Sequence, residues 1–291
     1  MDGLTIRCVG GLPLDSLATA FNRAFEGYFV PMWQTTESLA AMIANNDVLL
    51  DASLLIEDDR GAFAGIALLG VRGARGWVAG MGVAPEWRGR RVGHELMSRL
   101  IDEARALRLC TIQLEVLDQN IPARRLYSSL GFQEIRPLVV YTGPITPPEL
   151  ESSAEPGKAS SAVVPLQLHE ALADFDAMHP VRPPWQRERD VLPRMTPQLG
   201  GIGVRDGDRI RAYLLSMPLI SGISAMDCGS RAPTPDARTA DAVALLLHQI
   251  RQQPDALVRA INIPPGDPLD AALAQLQCPI VATQREMLLT L

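Results

Sequence analysis

The chain has 291 residues, enough for two domains at roughly 100–200 residues each. Hydrophobic residues make up 47% of it, charged residues 21%, and the net charge is −6, a globular composition that excludes a disordered or fibrous chain. No apolar run reaches the ~18–20 residues of a membrane span, no basic-then-apolar leader opens the chain, and the acidic balance argues against nucleic acid, so a cytoplasmic enzyme or binding protein is expected.

In the first half, residues 5–9 read as a strand and 14–25 as a helix with Leu14, Leu17, Ala18, Phe21 and Phe25 at helical spacing. A second helix fits 36–45, with Thr36 as its cap, and segments 53–57 and 62–69 around Asp58-Asp59-Arg60-Gly61 read as a hairpin. Residues 77–83 form a further strand in which Gly80 and Gly82 mark a bulge or a close approach. A loop at 85–93 opens a helix running to about residue 107; then come a strand at 111–116, a helix at 120–130 stopped by Gly131, and a strand at 138–141. Hairpins followed by a β-α-β unit give a mixed sheet.

A Pro-, Ser- and Glu-rich stretch divides the chain into domains 1–143 and 163–291, with 144–162 as linker. The second half repeats the order of the first, with strands at 201–204, 209–217 and 222–227, a helix at 240–250, a strand at 257–263, a helix at 270–276 and a strand at 284–289. The four cysteines, Cys8, Cys110, Cys228 and Cys278, are too scattered for a zinc or disulfide framework and read as buried free thiols. His94, His169, His179 and His248 show no ligand spacing, so no metal is expected. Of the 27 basic residues 26 are arginine; codon usage accounts for the bias as a whole, although its densest run coincides with the 85–93 loop and following helix.

That loop carries the chemistry. A strand runs into Arg88-Gly89-Arg90-Arg91-Val92-Gly93 and then a helix N-terminus, where backbone N–H groups, the helix dipole and arginines together make an anion site. A solvated basic loop is the plain alternative. Neither the triphosphate P-loop pattern nor the dinucleotide G-x-G-x-x-G is present.

Val83-Ala-Pro85-Glu-Trp-Arg88-Gly89-Arg-Arg91-Val92-Gly93, followed by Asn120-Ile-Pro-Ala123-Arg-Arg-Leu126-Tyr127-Ser-Ser-Leu130-Gly131-Phe132, resembles the paired signature of the GNAT (GCN5-related) N-acetyltransferases. The order of elements is similar to that family's as well. The resemblance implies an acyl-CoA N-acyltransferase-like α/β (α+β) fold, a mixed central sheet flanked by helices, with two similar domains in tandem. It implies acetyl-CoA as co-substrate, no metal, and transfer of the acetyl group to a primary amine by direct attack in a ternary complex.

On the same resemblance, Met81, Gly82 and Val83 would bind pantetheine and polarise the thioester carbonyl, while Arg88, Gly89, Arg90, Arg91, Val92, Gly93 and His94 would cradle the pyrophosphate. Tyr127 would protonate the departing thiolate, or serve only as a core aromatic. Asn120 caps its helix and would also contact CoA; Glu115 is the candidate general base, with a surface strand residue as the alternative. Arg91 stands where the family usually has glycine, which raises the question of whether the loop reaches a positive φ there.

Acceptor specificity would lie in the aromatic segment from Phe25 to Trp33. The acceptor would be a small-molecule or peptide amine, with no nucleic acid and no membrane as partner and a homodimer left open. The second half lacks both motifs and reads as a degenerate copy that completes the acceptor cleft or buries a face, with Trp185 and the preceding 179–184 segment as cleft candidates. A non-catalytic acyl-CoA-binding or interaction protein retaining the fold is the alternative reading.

Overall fold

The computed structural model describes residues 3–146, 162–195, 198–251 and 256–291. They fall into two compact units, Met1–Arg136 with Arg285–Leu291, and Pro137–Gln284. Among the described residues no helix is long and apolar enough to cross a membrane.

The first unit holds β1 (Leu4–Cys8), α1 (Leu14–Ala24), α2 (Thr36–Asn45), β2 (Leu54–Asp58), β3 (Phe63–Arg72), β4 (Arg75–Val83), α3 (Val92–Ala106), β5 (Thr111–Leu117), α4 (Ile121–Ser129) and the start of β6 (Gln133–Pro144). The second holds the rest of β6, β7 (Val163–Leu166), α5 (Leu168–Leu172), α6 (Phe175–Met178), β8 (Gly200–Asp206), β9 (Arg209–Leu219), β10 (Gly222–Ser230), α7 (Pro235–Ile250), β11 (Leu257–Ile263), α8 (Pro268–Gln275) and the start of β12 (Ile280–Thr290).

Strands β1 to β4 pair antiparallel in sequence order, and β5 then joins β4 in parallel. The second unit repeats this: β7, β8, β9 and β10 are antiparallel neighbours, and β11 joins β10 in parallel. Both units are thus mixed sheets flanked by helices. Helix α1 buries Leu17, Ala18, Phe21 and Ala24, the stripe that its period of 3.6 dictates, in one core layer with Leu39, Ile66 and Leu68. On the other face Leu96, Leu100 and Ala104 of α3 and Tyr127 of α4 pack over Ile56, Ala67 and Ile112, together with Met287 and Leu289 from the C-terminal segment.

Several expectations are modified. Thr35 caps α2, accepting from Ser38 N at 3.2 Å in a capping box, so Thr36 is the first helical residue. Strand β6 runs through Pro144 and Ile145 is buried, so both belong to the second unit's structure and not to a linker; residues 147–161 of the expected linker lie outside those described. Cys228 and Cys278 are buried, whereas Cys8 and Cys110 are exposed.

Trp185 is fully buried and cannot line a cleft. His179 sits with Arg187, Asp227 and Tyr213 in an enclosed network: Asp227 accepts from His179 Nε2 at 3.0 Å, Arg187 Nη2 at 3.3 Å and Tyr213 Oη at 2.7 Å, and Arg187 Nη1 pairs with Asp267 at 2.8 Å. Every charge there has a partner, which is the condition for keeping charges inside a core.

Candidate active site

Helix α1 lies directly on β4, which accounts for two glycines. A Cβ at Gly80 would stand 2.8 Å from Phe21 Cε2, and one at Gly82 would stand 2.9 Å from Ala24 Cβ. The close approach is made by the protein's own helix. The bulge is present too: Leu68 faces Gly80 but Leu69 faces Val78, leaving Ala79 as the extra residue. Pairing of β4 with β5 covers only Arg75, Trp77 and the residue between them, so the remainder of β4 has an open edge.

Ala84 N donates to Ala64 O at 2.9 Å, and the alternation of an antiparallel ladder then turns the Gly82 N–H toward β3 and those of Met81 and Val83 toward the open edge. Of the three residues expected to polarise a carbonyl, Gly82 is therefore occupied with β3, while Met81 and Val83 face outward.

After a 3-10 turn at Pro85–Trp87 the chain passes through two left-handed residues, Gly89 at φ 74° and Arg91 at φ 61°. Arg91 thus reaches the positive φ that its side chain had put in question, at a cost of roughly 1–2 kcal/mol for a residue with a Cβ. Among the described residues no acceptor meets the backbone N–H groups of Gly89, Arg90, Arg91, Val92 and Gly93. Five unsatisfied donors at the positive end of a 15-residue helix fit a pyrophosphate. The arginines beside them differ in role. Arg90 lies over the Trp87 ring, 5.4 Å from its centroid, and Arg91 is exposed.

Arg88 turns away from the anion cradle. Its Nε donates to Val83 O at 2.9 Å, and its Nη2 donates to Glu26 O at 2.6 Å and Ala24 O at 3.3 Å. The guanidinium satisfies carbonyls at the C-terminus of α1, where the helix dipole favours a cation. A second tie runs alongside, from Arg23 Nη2 to Glu86 at 2.8 Å.

Three elements converge at Gly93, where a Cβ would meet Met81 Cε at 3.1 Å and Leu126 Cδ2 and Val83 Cγ2 at 3.5 Å. Asn120 caps α4, its Oδ1 accepting from Ala123 N at 3.2 Å. About two turns further on, the Tyr127 hydroxyl donates to Met81 Sδ at 3.8 Å, and its ring packs 5.9 Å from that of Phe132. Burial, with a smaller push from Tyr28, holds the Tyr127 phenol far above its ordinary value, so it carries its proton at neutral pH. Tyr127 is thus a core ring whose hydroxyl is aimed at the bulged strand.

Burial raises the Tyr28 phenol above its ordinary value, and the Asn120 side chain opposes the rise. A groove of about 860 Å³ runs along α1 and the 25–37 segment, with Asn22, Phe25, Tyr28, Met32 and Trp33 among its walls. Asn22 fixes the segment through two 2.8 Å bonds, Nδ2 to Gln34 O and Gln34 N to Oδ1.

Glu115 Oε2 accepts from Trp77 Nε1 at 2.7 Å. Because Ile112, Leu114 and Val116 share the core with Tyr127, the period of two places Glu115 on the opposite face of β5. His94 is exposed in the first turn of α3, with Nδ1 3.4 Å from Ser98 Oγ. Sequence reasoning missed the Arg88 staple and the Asn22 clamp, since each links residues apart in the chain.

The sheet with its bulge, the anion cradle and the tyrosine on α4 define an acyltransferase fold. Residues 15–132 match the model of the acetyltransferase (GNAT) family. A GCN5-related N-acetyltransferase from Sphaerobacter thermophilus is 15% identical, with 100% of this chain and 96% of that one covered at a TM-score of 0.70. A tandem GNAT protein from the clavulanic acid biosynthesis pathway is 12% identical, with 99% and 98% covered at a TM-score of 0.67. At these identities the likeness is one of fold, and it extends over both units.

Proposed function

We propose that the first unit is an acetyl-CoA-dependent N-acetyltransferase that moves an acetyl group to a primary amine of a small molecule or peptide by direct attack in a ternary complex. The observation that carries this reading is the cluster of five acceptorless N–H groups from Gly89 to Gly93, adjoining Met81 and the Tyr127 hydroxyl. Acetyl-CoA supplies the activated acyl group. The N–H groups of 89–93 hold its pyrophosphate; those of Met81 and Val83 polarise the carbonyl. Tyr127 keeps its proton through burial and delivers it to the leaving sulfur, which as a thiolate is more basic when desolvated. No dedicated base is assigned: Glu115 is held by Trp77, and the amine nitrogen, made acidic once it is bonded to the carbonyl carbon, sheds its proton to water, from which Tyr127 regains one.

The second unit is assigned no acyl-CoA site. Its corresponding helix α7 begins with Pro235, which has no N–H, and Thr234 Oγ1 takes the N–H of Ala237 at 3.3 Å. Arg238 covers the carbonyls of Ala232 at 2.8 Å and Pro233 at 3.4 Å. That helix start is closed by its own side chains.

Calorimetric titration with acetyl-CoA, paired with detection of free thiol in the presence of primary amines, tests the reading. One site per chain and amine-dependent thiol release support it. Binding without transfer to any amine would leave an acyl-CoA-binding protein instead.

A further inference from the structure

We infer that Arg285 is a positioning residue of the transferase: it holds Asp118 at the corner between β5 and α4 and so fixes the helix that presents the Tyr127 hydroxyl. The inference rests on the transferase reading and assigns to it a residue from the far end of the chain.

Helix α4 has 9 residues and hangs on β5 by the short link Asp118-Gln119-Asn120. A helix of that length does not hold itself in water, so its neighbours set where it lies. The segment Arg285–Leu291, which belongs to the first unit, meets it at both ends. At the N-terminal corner Arg285 Nε donates to Asp118 Oδ1 at 2.6 Å and Nη2 to Oδ2 at 3.4 Å, a two-pronged contact that fixes direction as well as distance. From the other side Arg124, a residue of α4 itself, donates from Nη1 to Asp118 O at 3.4 Å, while its Nη2 pairs with Glu134 at 2.6 Å. Asp118 is thereby the joint between the C-terminal segment and the helix. At the other end of α4, Leu289 Cδ1 lies 3.2 Å from the point where a Cβ of Gly131 would stand. Arg285, Met287 and Leu289 alternate along the strand and so share one face, the face that Met287 and Leu289 bury in the core with Tyr127 and Phe132.

The side chains of the Arg285–Asp118 pair are 34% and 26% exposed, and a pair so open to solvent adds little stability. Its value lies in geometry. Tyr127 follows Arg124 by one turn of α4, and its hydroxyl reaches Met81 Sδ at 3.8 Å, a long contact that a small rotation of the helix would break. Misplacement of a reacting group by about 1 Å costs about 100-fold in rate. The N–H groups proposed for acetyl-CoA lie on β4 and the 89–93 loop, away from this joint. Arg285 therefore acts on turnover and leaves acetyl-CoA affinity alone.

The test compares wild type, Arg285→Gln and Arg285→Lys in the full chain, with and without Tyr127→Phe, by thiol release from acetyl-CoA in the presence of 2-phenylethylamine, putrescine and a tripeptide with a free N-terminus. Arg285→Gln is expected to lower kcat about tenfold with the KM for acetyl-CoA and the melting temperature little changed. Arg285→Lys restores part of the loss, and neither variant lowers the residual kcat of Tyr127→Phe further, since both act through the same hydroxyl. Hydrogen exchange quickens in α4 of Arg285→Gln and keeps its wild-type rate in α3. An unchanged kcat in Arg285→Gln beside an active wild type would overturn the inference and leave the transferase reading standing. An equal loss in the Tyr127→Phe background would also overturn it, since that marks a general structural role, as would exchange that quickens throughout the unit or not at all in α4. A wild type that turns over none of the amines would overturn the transferase reading, and this inference with it, whatever exchange shows in α4.

Discussion

Arg88 and Glu26 are joined by a 2.6 Å hydrogen bond from Nη2 of the guanidinium to the main-chain oxygen. The residue that sequence motifs assign to a phosphate is thus fastened to the end of α1, and it ties the 85–93 loop to the start of the 25–37 segment. Arg88→Ala removes three hydrogen bonds to carbonyls and is expected to cost about 1–3 kcal/mol of stability in urea unfolding, with weakened acetyl-CoA binding as a consequence. Lost affinity with unchanged stability would instead make Arg88 a phosphate ligand.

Arg91 holds a left-handed conformation that glycine adopts cheaply. Arg91→Gly is expected to stabilise the first unit by about 1 kcal/mol, read as a raised denaturation midpoint. If stability falls, the side chain contributes contacts that outweigh the backbone strain.

Met287, fully buried, belongs to the core of the first unit although it lies 4 residues from the end of the chain. Met287→Ala is expected to cost about 2–5 kcal/mol and to lower hydrogen-exchange protection in β5 and α4. Protection lost only between 137 and 284 would contradict the placement of Arg285–Leu291 in the first unit.

Both ring nitrogens of His179 face acceptors, Phe175 O at 2.8 Å and Asp227 Oδ1 at 3.0 Å, so the imidazole satisfies both only as a cation. Burial alone would lower its pKa, but the Asp227 charge and hydrogen bond, the Phe175 carbonyl and Asp267 raise it above the ordinary histidine value. Its contribution to stability is complete below the unfolded pKa of about 6.5 and is lost as pH rises through the folded pKa. Asp227 works in the opposite direction: burial would raise it, yet His179, Arg187 and Tyr213 hold it down, so its contribution is lost as pH falls through that depressed value. Urea unfolding across pH is therefore expected to show the second unit most stable between these limits, with the alkaline loss absent in His179→Phe. An alkaline loss that persists in that variant would assign it to another group.

Much of the first unit was legible because its elements are long and periodic. The stripe of α1, the hairpin of β2 and β3 and the helix ending at Gly131 all follow from spacing and turn residues. The helices Leu168–Leu172 and Phe175–Met178 were not, since segments of one turn have no period to read. Gly80 and Gly82 announced a close approach but could not say that Phe21 and Ala24 make it. Arg88 is the sharpest case. Its motif position names a cation, whereas its function depends on carbonyls more than 60 residues earlier in the chain.

The central claim is that the Tyr127 hydroxyl acts on the leaving group and is not merely core. Tyr127→Phe keeps the buried ring and removes the donor to Met81 Sδ. Measured side by side on the full chain, kcat is expected to fall by about 10²–10⁴-fold, the usual contribution of a positioned acid, while the acetyl-CoA dissociation constant stays the same. An unchanged kcat would contradict the account.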